Sequence, residues 1–234
     1  MQTTVPNSAI AFPVVEMALK AMDTDDDACP FAPLFARRGA RQAMKAGSTI
    51  FIEGEEADVL YRIASGTVRC CRVTLDGRRQ IERFLGEGDE MGLTARGVYA
   101  YTAEAVGEVV LQRMKRATFE QAAREDAALR EALFEHMAET LDASRGRMVL
   151  LGRMTASERA AAFLVEMAAR LREPGDEIRL PMTRQDIADY LGITLETVSR
   201  MFNRFRRDGL IDMAAPDRIR IADRDALEDL ASAT

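Results

Sequence analysis

Residues 191–211 read LGITLETVSRMFNRFRRDGLI and hold four arginines, one glutamate and one serine among mostly apolar or small residues. The 234-residue chain is acidic overall, with a formal net charge of −6, so this clustering of arginine needs a local cause. Placed on a helix, Val198, Met201, Phe202 and Phe205 form one apolar stripe. Glu196, Ser199, Arg200 and Asn203 fall on the opposite face at i, i+3, i+4 and i+7. Upstream, Ala188, Gly192 and Val198 are spaced four and six apart. Two helices crossing at a tight turn require that order: a small residue for close approach, a glycine for the turn, and a β-branched residue in the wedge between them. Thr183 is placed to cap the first helix, with Asp186 at the capping-box position, and Thr194 to cap the second. The pattern predicts a helix-turn-helix.

The outward face of its second helix suits base edges in a major groove. Arginine can bond guanine O6 and N7 together, a glutamate can accept from cytosine N4, and serine is adaptable. Arg204, Arg206 and Arg207 sit at the C-terminal end, where they complement the helix dipole and can meet phosphates. The following "GLIDM" and "RIRIA" predict a hairpin that would serve as a wing. A plain solvated helix with a Glu196–Arg200 surface pair, worth about 0.3–0.5 kcal/mol, explains neither the turn pattern nor the caps. Nor does the overall acidity weigh against a local site, because phosphate attraction is screened beyond about 8–10 Å.

Outward from this stretch the texture changes. Residues 1–30 end in "DTDDDACP" and read as a leader. From Lys45 to Met114, glycines 47, 54, 66, 77, 86, 88, 92 and 97 punctuate short runs such as "STIFIE", "VLYRIA", "TVRCCRV", "QIERFL" and "EVVLQRM". This predicts a small antiparallel β-roll, with a hairpin at Asp76-Gly77. From Thr118, a possible cap, the period turns helical. Leu133, Phe134, Met137, Leu141, Ser144, Met148 and Leu151 predict the seam of a dimerisation helix, able to pack inward at one end and on a twin at the other. "ASERAAAFLVEMAARL" (156–171) predicts a further helix started by Thr155 or Ser157, and another closes the chain after Asp223. The expected class is α+β: leader 1–30, β-roll 31–117, dimerisation helix region 118–152, and winged helix-turn-helix domain 153–234.

This order resembles the family of the cyclic-AMP receptor protein and the fumarate-nitrate regulator, from about residue 35 onward. "ADYLGITLETVSRMFNRFRRDGLI" carries the Glu-x-x-Ser-Arg pattern of the fumarate-nitrate branch as Glu196, Ser199 and Arg200, which in that branch read TTGAT-type half-sites. The resemblance implies backbone-phosphate contacts by Thr183, Gln185, Thr194 and Thr197, to which Arg204 adds a cation. The cyclic-AMP branch has an arginine where this chain has Leu195, an aliphatic side chain that can touch only a thymine methyl.

The family's effectors can be weighed against the residues present. In "GEGDEMGLTARGVYAYTAEA", Glu90-Met91-Gly92-Leu93 partly resembles the ribose segment of cyclic-nucleotide binders. Tyr101 stands where the phosphate arginine belongs, and the adenine-contacting pair reads Ser144-Arg145. Without that cation the ligand loses its main electrostatic partner. An iron–sulfur cluster needs four cysteines; only Cys29 lies in the N-terminal segment, and Cys70 and Cys71 point to opposite faces of a strand. A lone His136 on a helix is a poor haem ligand. A cupin-type oxygenase needs several histidines on the roll, which has none. What remains resembles the FixK subgroup: a transcription regulator, not an enzyme, with no bound cofactor or metal and with oxygen information arriving indirectly. A small molecule or a redox-sensitive cysteine is the alternative effector. The expected partners are palindromic double-stranded DNA, a second copy of the chain and RNA polymerase. No run approaches the ~20 apolar residues of a membrane span and no signal peptide is legible, so the cytoplasm is expected.

Overall fold

The computed structural model describes residues 31–171 and 177–232. The leader, with Cys29, lies outside the described residues. A short helix α1 (Ala32–Arg38) leads into eight strands: β1 (Ala40–Met44), β2 (Thr49–Phe51), β3 (Val59–Ser65), β4 (Val68–Val73), β5 (Arg79–Leu85), β6 (Glu90–Met91), β7 (Thr102–Ala105) and β8 (Val109–Lys115). They form two four-stranded antiparallel sheets, ordered β1-β8-β3-β6 and β2-β7-β4-β5. Helix α1 and strands β1, β6 and β7 were not legible in advance. "ARQAM" and "TAEA" lack the β-branched alternation that marks a strand, and β6 is only two residues long.

The two sheets enclose Phe51, Ile63, Val68, Cys70, Leu85, Met91 and Leu111. Tyr99 stacks on Phe51 at 3.8 Å between ring centroids and donates its hydroxyl to the Val59 carbonyl at 2.9 Å. The β4–β5 ribbon closes through Asp76-Gly77, as expected, with Gly77 at φ 80° and Thr74 N donating to Arg78 O at 2.9 Å. Its pairing slips by one residue between Cys70 and Cys71. Cys70 faces the roll interior. Cys71, Ile81 and Phe84 face outward and are nevertheless buried, because they join the core of the C-terminal unit. Both faces of one ribbon are therefore covered.

Helix α2 (Arg116–Glu125) starts directly at the end of β8, and its N-cap is Lys115 without a side-chain cap. The expectation that Thr118 caps it is corrected. Arg116, which donates to Gly92 O at 2.7 Å and Thr94 O at 3.2 Å, pins the strand-to-helix junction ahead of Thr118. Asp126 caps the long helix α3 (Ala127–Arg153), accepting from Ala128 N and Leu129 N. Its 27 residues span about 40 Å at 1.5 Å per residue. One end packs Leu129 and Leu133 with Phe31, Phe35, Leu60 and Phe119. The other packs Leu150 and Leu151 against the C-terminal unit.

That unit begins with α4 (Ala156–Arg170), opened by a capping box of Thr155 and Glu158. Then follow β9 (Glu177–Arg179), α5 (Arg184–Leu191), α6 (Leu195–Arg207), β10 (Ile211–Ala215), β11 (Arg218–Ile221) and α7 (Arg224–Ser232). The wing is three-stranded, ordered β10-β11-β9; its third strand, "EIR", is too short to show a period in sequence. Gly192 ends α5 in the left-handed region at φ 64°, and Ile193 N donates back to Ala188 O at 3.2 Å. A Cβ added at Gly192 would meet nothing closer than 3.7 Å, so the cost of a side chain there is conformational. Gly192→Ala is expected to destabilise the fold by about 1–2 kcal/mol. Urea denaturation measures this, and an unchanged midpoint would mean that the turn relaxes.

Candidate nucleic-acid interface

Helix α6 is fixed from beneath. Val198, Phe202 and Phe205 are fully buried, and Met201 packs at the margin of the same core. Thr194 caps its start, accepting from Thr197 N at 3.3 Å. The arginine at the first position of α5, Arg184, lies 4.0 Å over the Phe202 ring and donates to Pro216 O at 2.6 Å, tying both helices to the wing. With its inner face locked, α6 turns Glu196, Ser199, Arg200, Asn203, Arg204 and Arg207 around a shallow open recess of about 750 Å³. Arg200 is not engaged with Glu196. It donates to Thr197 Oγ1 at 3.3 Å. The Glu196 carboxylate accepts from its own backbone N–H and from Thr194, which holds its pKa below the usual carboxylate value. Arg204 reaches Asp208 Oδ2 at 3.3 Å across an exposed helix turn.

The residues expected to meet phosphates divide into two groups. Thr194 and Thr197 lie at the start of α6, on the rim of the exposed face. Thr183 and Gln185 lie in the first turn of α5, both exposed. Thr183 forms a full capping box with Asp186, and Gln185 donates to Asp189 Oδ1 at 2.7 Å. Of the residues expected to form a seam, Phe134 (75% exposed), Met137 (56%), Leu141 (52%), Met148 (66%) and Ser144 line the open side of α3. Leu133 and Leu151 instead pack partly within their own chain.

Several contacts around the site have no signal in the sequence. Asp186 is 1% exposed and uses its two oxygens differently. Oδ2 accepts from Thr183 N at 3.1 Å and Thr183 Oγ1 at 2.7 Å. Oδ1 accepts from two arginines of the roll, Arg79 Nη2 at 2.6 Å and Arg69 Nη1 at 3.1 Å. Arg79 Nε also donates to Asp189 Oδ2 at 2.8 Å, and Arg69 Nε to Glu104 at 2.7 Å. Tyr190, directly after Asp189, is buried where three elements meet. Arg147 of α3 stacks 3.4 Å over its ring and donates to its carbonyl, while its hydroxyl donates to Glu166 of α4 at 2.8 Å. Burial raises the pKa of Glu166. Only the capping position of Asp186 could have been read locally, since its arginine partners lie more than a hundred residues away.

In the roll, Tyr101 lies half-buried beside Cys70, and desolvation raises its pKa. Arg83, the cross-strand partner of Cys70, adds a cation to this corner, a pairing with no local signal in the sequence. Burial pushes the Cys70 thiol up to about 12 and the Cys71 thiol up to about 11. Both stay protonated at neutral pH, which makes them poor redox sensors. His136 is half-buried, edge-on to Phe31 at 5.5 Å, and burial lowers its pKa. Among the described residues no group of three His, Cys, Asp or Glu is placed to hold a metal, and no helix is long and apolar enough to cross a membrane.

Comparison with known proteins places this geometry. Residues 158–230 match the Crp-like helix-turn-helix domain and residues 41–126 the cyclic nucleotide-binding domain. The nitrogen fixation regulation protein FixK of Azorhizobium caulinodans is 38% identical, over 97% of this chain and 95% of its own. The chain belongs to the Crp/Fnr family. It is a DNA-binding transcription regulator, not an enzyme. The fumarate and nitrate reduction regulatory protein of Escherichia coli K12 is 32% identical over 83% of this chain and 79% of its own. Among solved structures, that of FixK2 from Bradyrhizobium japonicum superposes with a TM-score of 0.80 at 36% identity, covering 82% of this chain and 96% of that one. The expected α+β order of roll, long helix and winged helix-turn-helix agrees with these relatives.

The acid dependence of the fold follows from Asp186. Burial alone would raise its pKa; the Thr183 hydroxyl and N–H, with Arg69 and Arg79, outweigh it and hold the group below its ordinary 3.8. A depressed carboxylate stabilises the fold fully above 3.8, and that contribution is lost as pH falls through the lower folded value. Asp186→Asn should therefore cost about 3 kcal/mol at neutral pH, with the gap to the native protein closing below the ordinary value. Denaturant titrations across the acid range check this. A constant gap would remove Asp186 as its source.

Proposed function

We propose that this regulator works as a homodimer, paired through α3, that sets two α6 helices into successive major grooves of a palindromic TTGAT-type site. The supporting observation is the composition of one exposed face. Glu196, Ser199 and Arg200 stand outward on a helix whose aromatics anchor it below, and Arg200 has no carboxylate partner among the described residues. In this reading Glu196, Ser199 and Arg200 identify bases. Thr183, Gln185, Thr194, Thr197 and Arg204 hold the phosphate backbone. Leu133, Phe134, Met137, Leu141, Ser144, Met148 and Leu151 belong to the dimer seam. Two-fold symmetry then demands half-sites about one helical turn apart. Covering each large apolar side chain of the seam is worth about 1.5–3 kcal/mol, which favours pairing over leaving the stripe in water.

The domain limits proposed are a leader at 1–30, a roll at 31–117, a dimerisation helix region at 118–152 and the DNA-binding unit at 153–234. The names of the relatives, which include nitrogen fixation and fumarate and nitrate regulators, support a cytoplasmic activator of low-oxygen, nitrogen-fixation or respiratory genes that acts on RNA polymerase. Tyr101 at the place of a phosphate-binding arginine supports action without a bound cyclic nucleotide. Arg83 beside it favours one second reading, a small anionic ligand in the roll. A thermal-shift series with cyclic nucleotides and 2-oxoglutarate separates the two readings.

Purified, metal-free protein in air should bind a TTGAT/ATCAA palindrome specifically. Arg200→Ala should lose about 1–3 kcal/mol of discrimination against base-substituted sites. Arg204→Ala should weaken all duplexes alike and lower the salt slope by about one. Gel shifts at several salt concentrations read both; equal loss for Arg200→Ala on specific and scrambled DNA would contradict its role. Met137→Glu should shift the protein toward monomer in light scattering, and a dimer that survives it would move the seam elsewhere.

A further inference from the structure

The DNA-binding unit is attached to the rest of the chain in two places, which meet at Tyr190. The first is the hinge at the end of α3. There Arg159 donates to Leu151 O at 2.8 Å, Met154 O at 2.9 Å and Leu191 O at 3.0 Å, so one guanidinium spans the long helix, the hinge and the helix-turn-helix turn. Arg147, on the Tyr190 ring, belongs to this attachment too. The second is the roll. Asp186, Asp189 and Tyr190 lie on one face of α5, at i, i+3 and i+4. That face rests on the β4–β5 ribbon. Arg79 forks between Asp186 and Asp189, Arg69 joins at Asp186, and Gln80 Nε2 donates to Asp189 O at 2.7 Å.

A body held at a hinge alone keeps rotation about that hinge; contacts to the roll, by Asp186 and Asp189 and by Arg170 on the Phe84 carbonyl, oppose it. No roll arginine of this clamp touches Glu196, Ser199 or Arg200. Its effect is therefore on where the reading face points, not on which base it prefers. We propose that Arg79, assisted by Arg69, is a positioning residue for DNA reading: by seating the Asp186/Asp189 face of α5 on the roll, it fixes the angle of each α6 and with it the half-site spacing that the dimer accepts. This rests on the paired reading proposed above. Moving a half-site by one base pair shifts it about 3.4 Å along the duplex and also turns it around the axis, so a rigid pair of heads tolerates only one spacing.

The test uses the full chain as Arg79→Met, which fills the seam, and Arg79→Lys, which keeps the charge without the fork. Asp186 retains Arg69 and its cap in both, and Asp189 retains Gln185. Fluorescence anisotropy is measured on the palindrome, on versions with half-sites one base pair closer or farther, on a lone half-site and on base-substituted palindromes. The native protein is expected to prefer one spacing by about tenfold or more, and Arg79→Met to narrow that preference to about twofold, with lone half-site binding and base preference intact. Arg79→Lys should fall between. An unchanged spacing profile in Arg79→Met overturns the proposal, as does a uniform loss on every duplex including the lone half-site. A native protein that binds the lone half-site as well as the palindrome would overturn the paired reading and this inference with it, and it is distinguished because the native chain itself fails.

Discussion

The β4–β5 ribbon is buried on both faces, and much of the architecture depends on that. Cys70 and Val68 look into the roll, whereas Cys71, Ile81 and Phe84 form part of the floor on which the helix-turn-helix unit stands. A ribbon with two apolar faces cannot leave either in water without exposing a contiguous patch. The DNA-binding unit is therefore not a bead on a linker. Its core includes side chains from the roll, and its orientation is part of the same packing problem as its stability.

Polar groups caught in that seam must be satisfied, and arginine does most of this. A guanidinium offers five donors in a planar fork, which lets Arg79 serve two carboxylates and Arg159 three carbonyls. Asp186 shows the complementary economy on the acceptor side, with one oxygen for the helix cap and one for the roll. A buried ion pair of this kind adds little net stability over an apolar seam, because desolvation offsets the Coulomb attraction. What it does add is direction. Carboxylates that meet arginines at fixed positions admit far fewer arrangements than two apolar surfaces sliding on each other.

Legibility in the sequence followed the range of each interaction. The helix-turn-helix could be read because its determinants are local: caps at Thr183 and Thr194, a glycine at 192, and apolar stripes at helical spacing all act within a few residues. The hairpin at Asp76-Gly77 was legible for the same reason. Strand β7, "TAEA", was not, because it is a strand only by virtue of its neighbours β2 and β4. Thr118 carries the side chain of a cap but not its position, because β8 runs on to Lys115 and the helix starts directly after it. The Arg69, Arg79 and Asp186 cluster is the extreme case. Its members are up to 117 residues apart, and no period links them. In sequence Arg69 and Arg79 look like ordinary solvated charges flanking a strand.

The arginines of the chain thus sort by what answers them. Those turned inward, Arg69, Arg79, Arg147, Arg159 and Arg170, each meet carboxylates or backbone carbonyls of the fold. On the outward face of α6, among the described residues, Arg200 meets only a threonine hydroxyl, and Arg204 and Arg207 share the carboxylate of Asp208. Charge left so poorly answered within the chain is what a polyanion can complete, because its phosphates and base edges replace water without breaking an internal pair. The acidic balance of the whole molecule is consistent with this division. Helix α6 carries Arg200, Arg204, Arg206 and Arg207 against the one carboxylate of Glu196, which leaves it cationic in a chain whose net charge is −6.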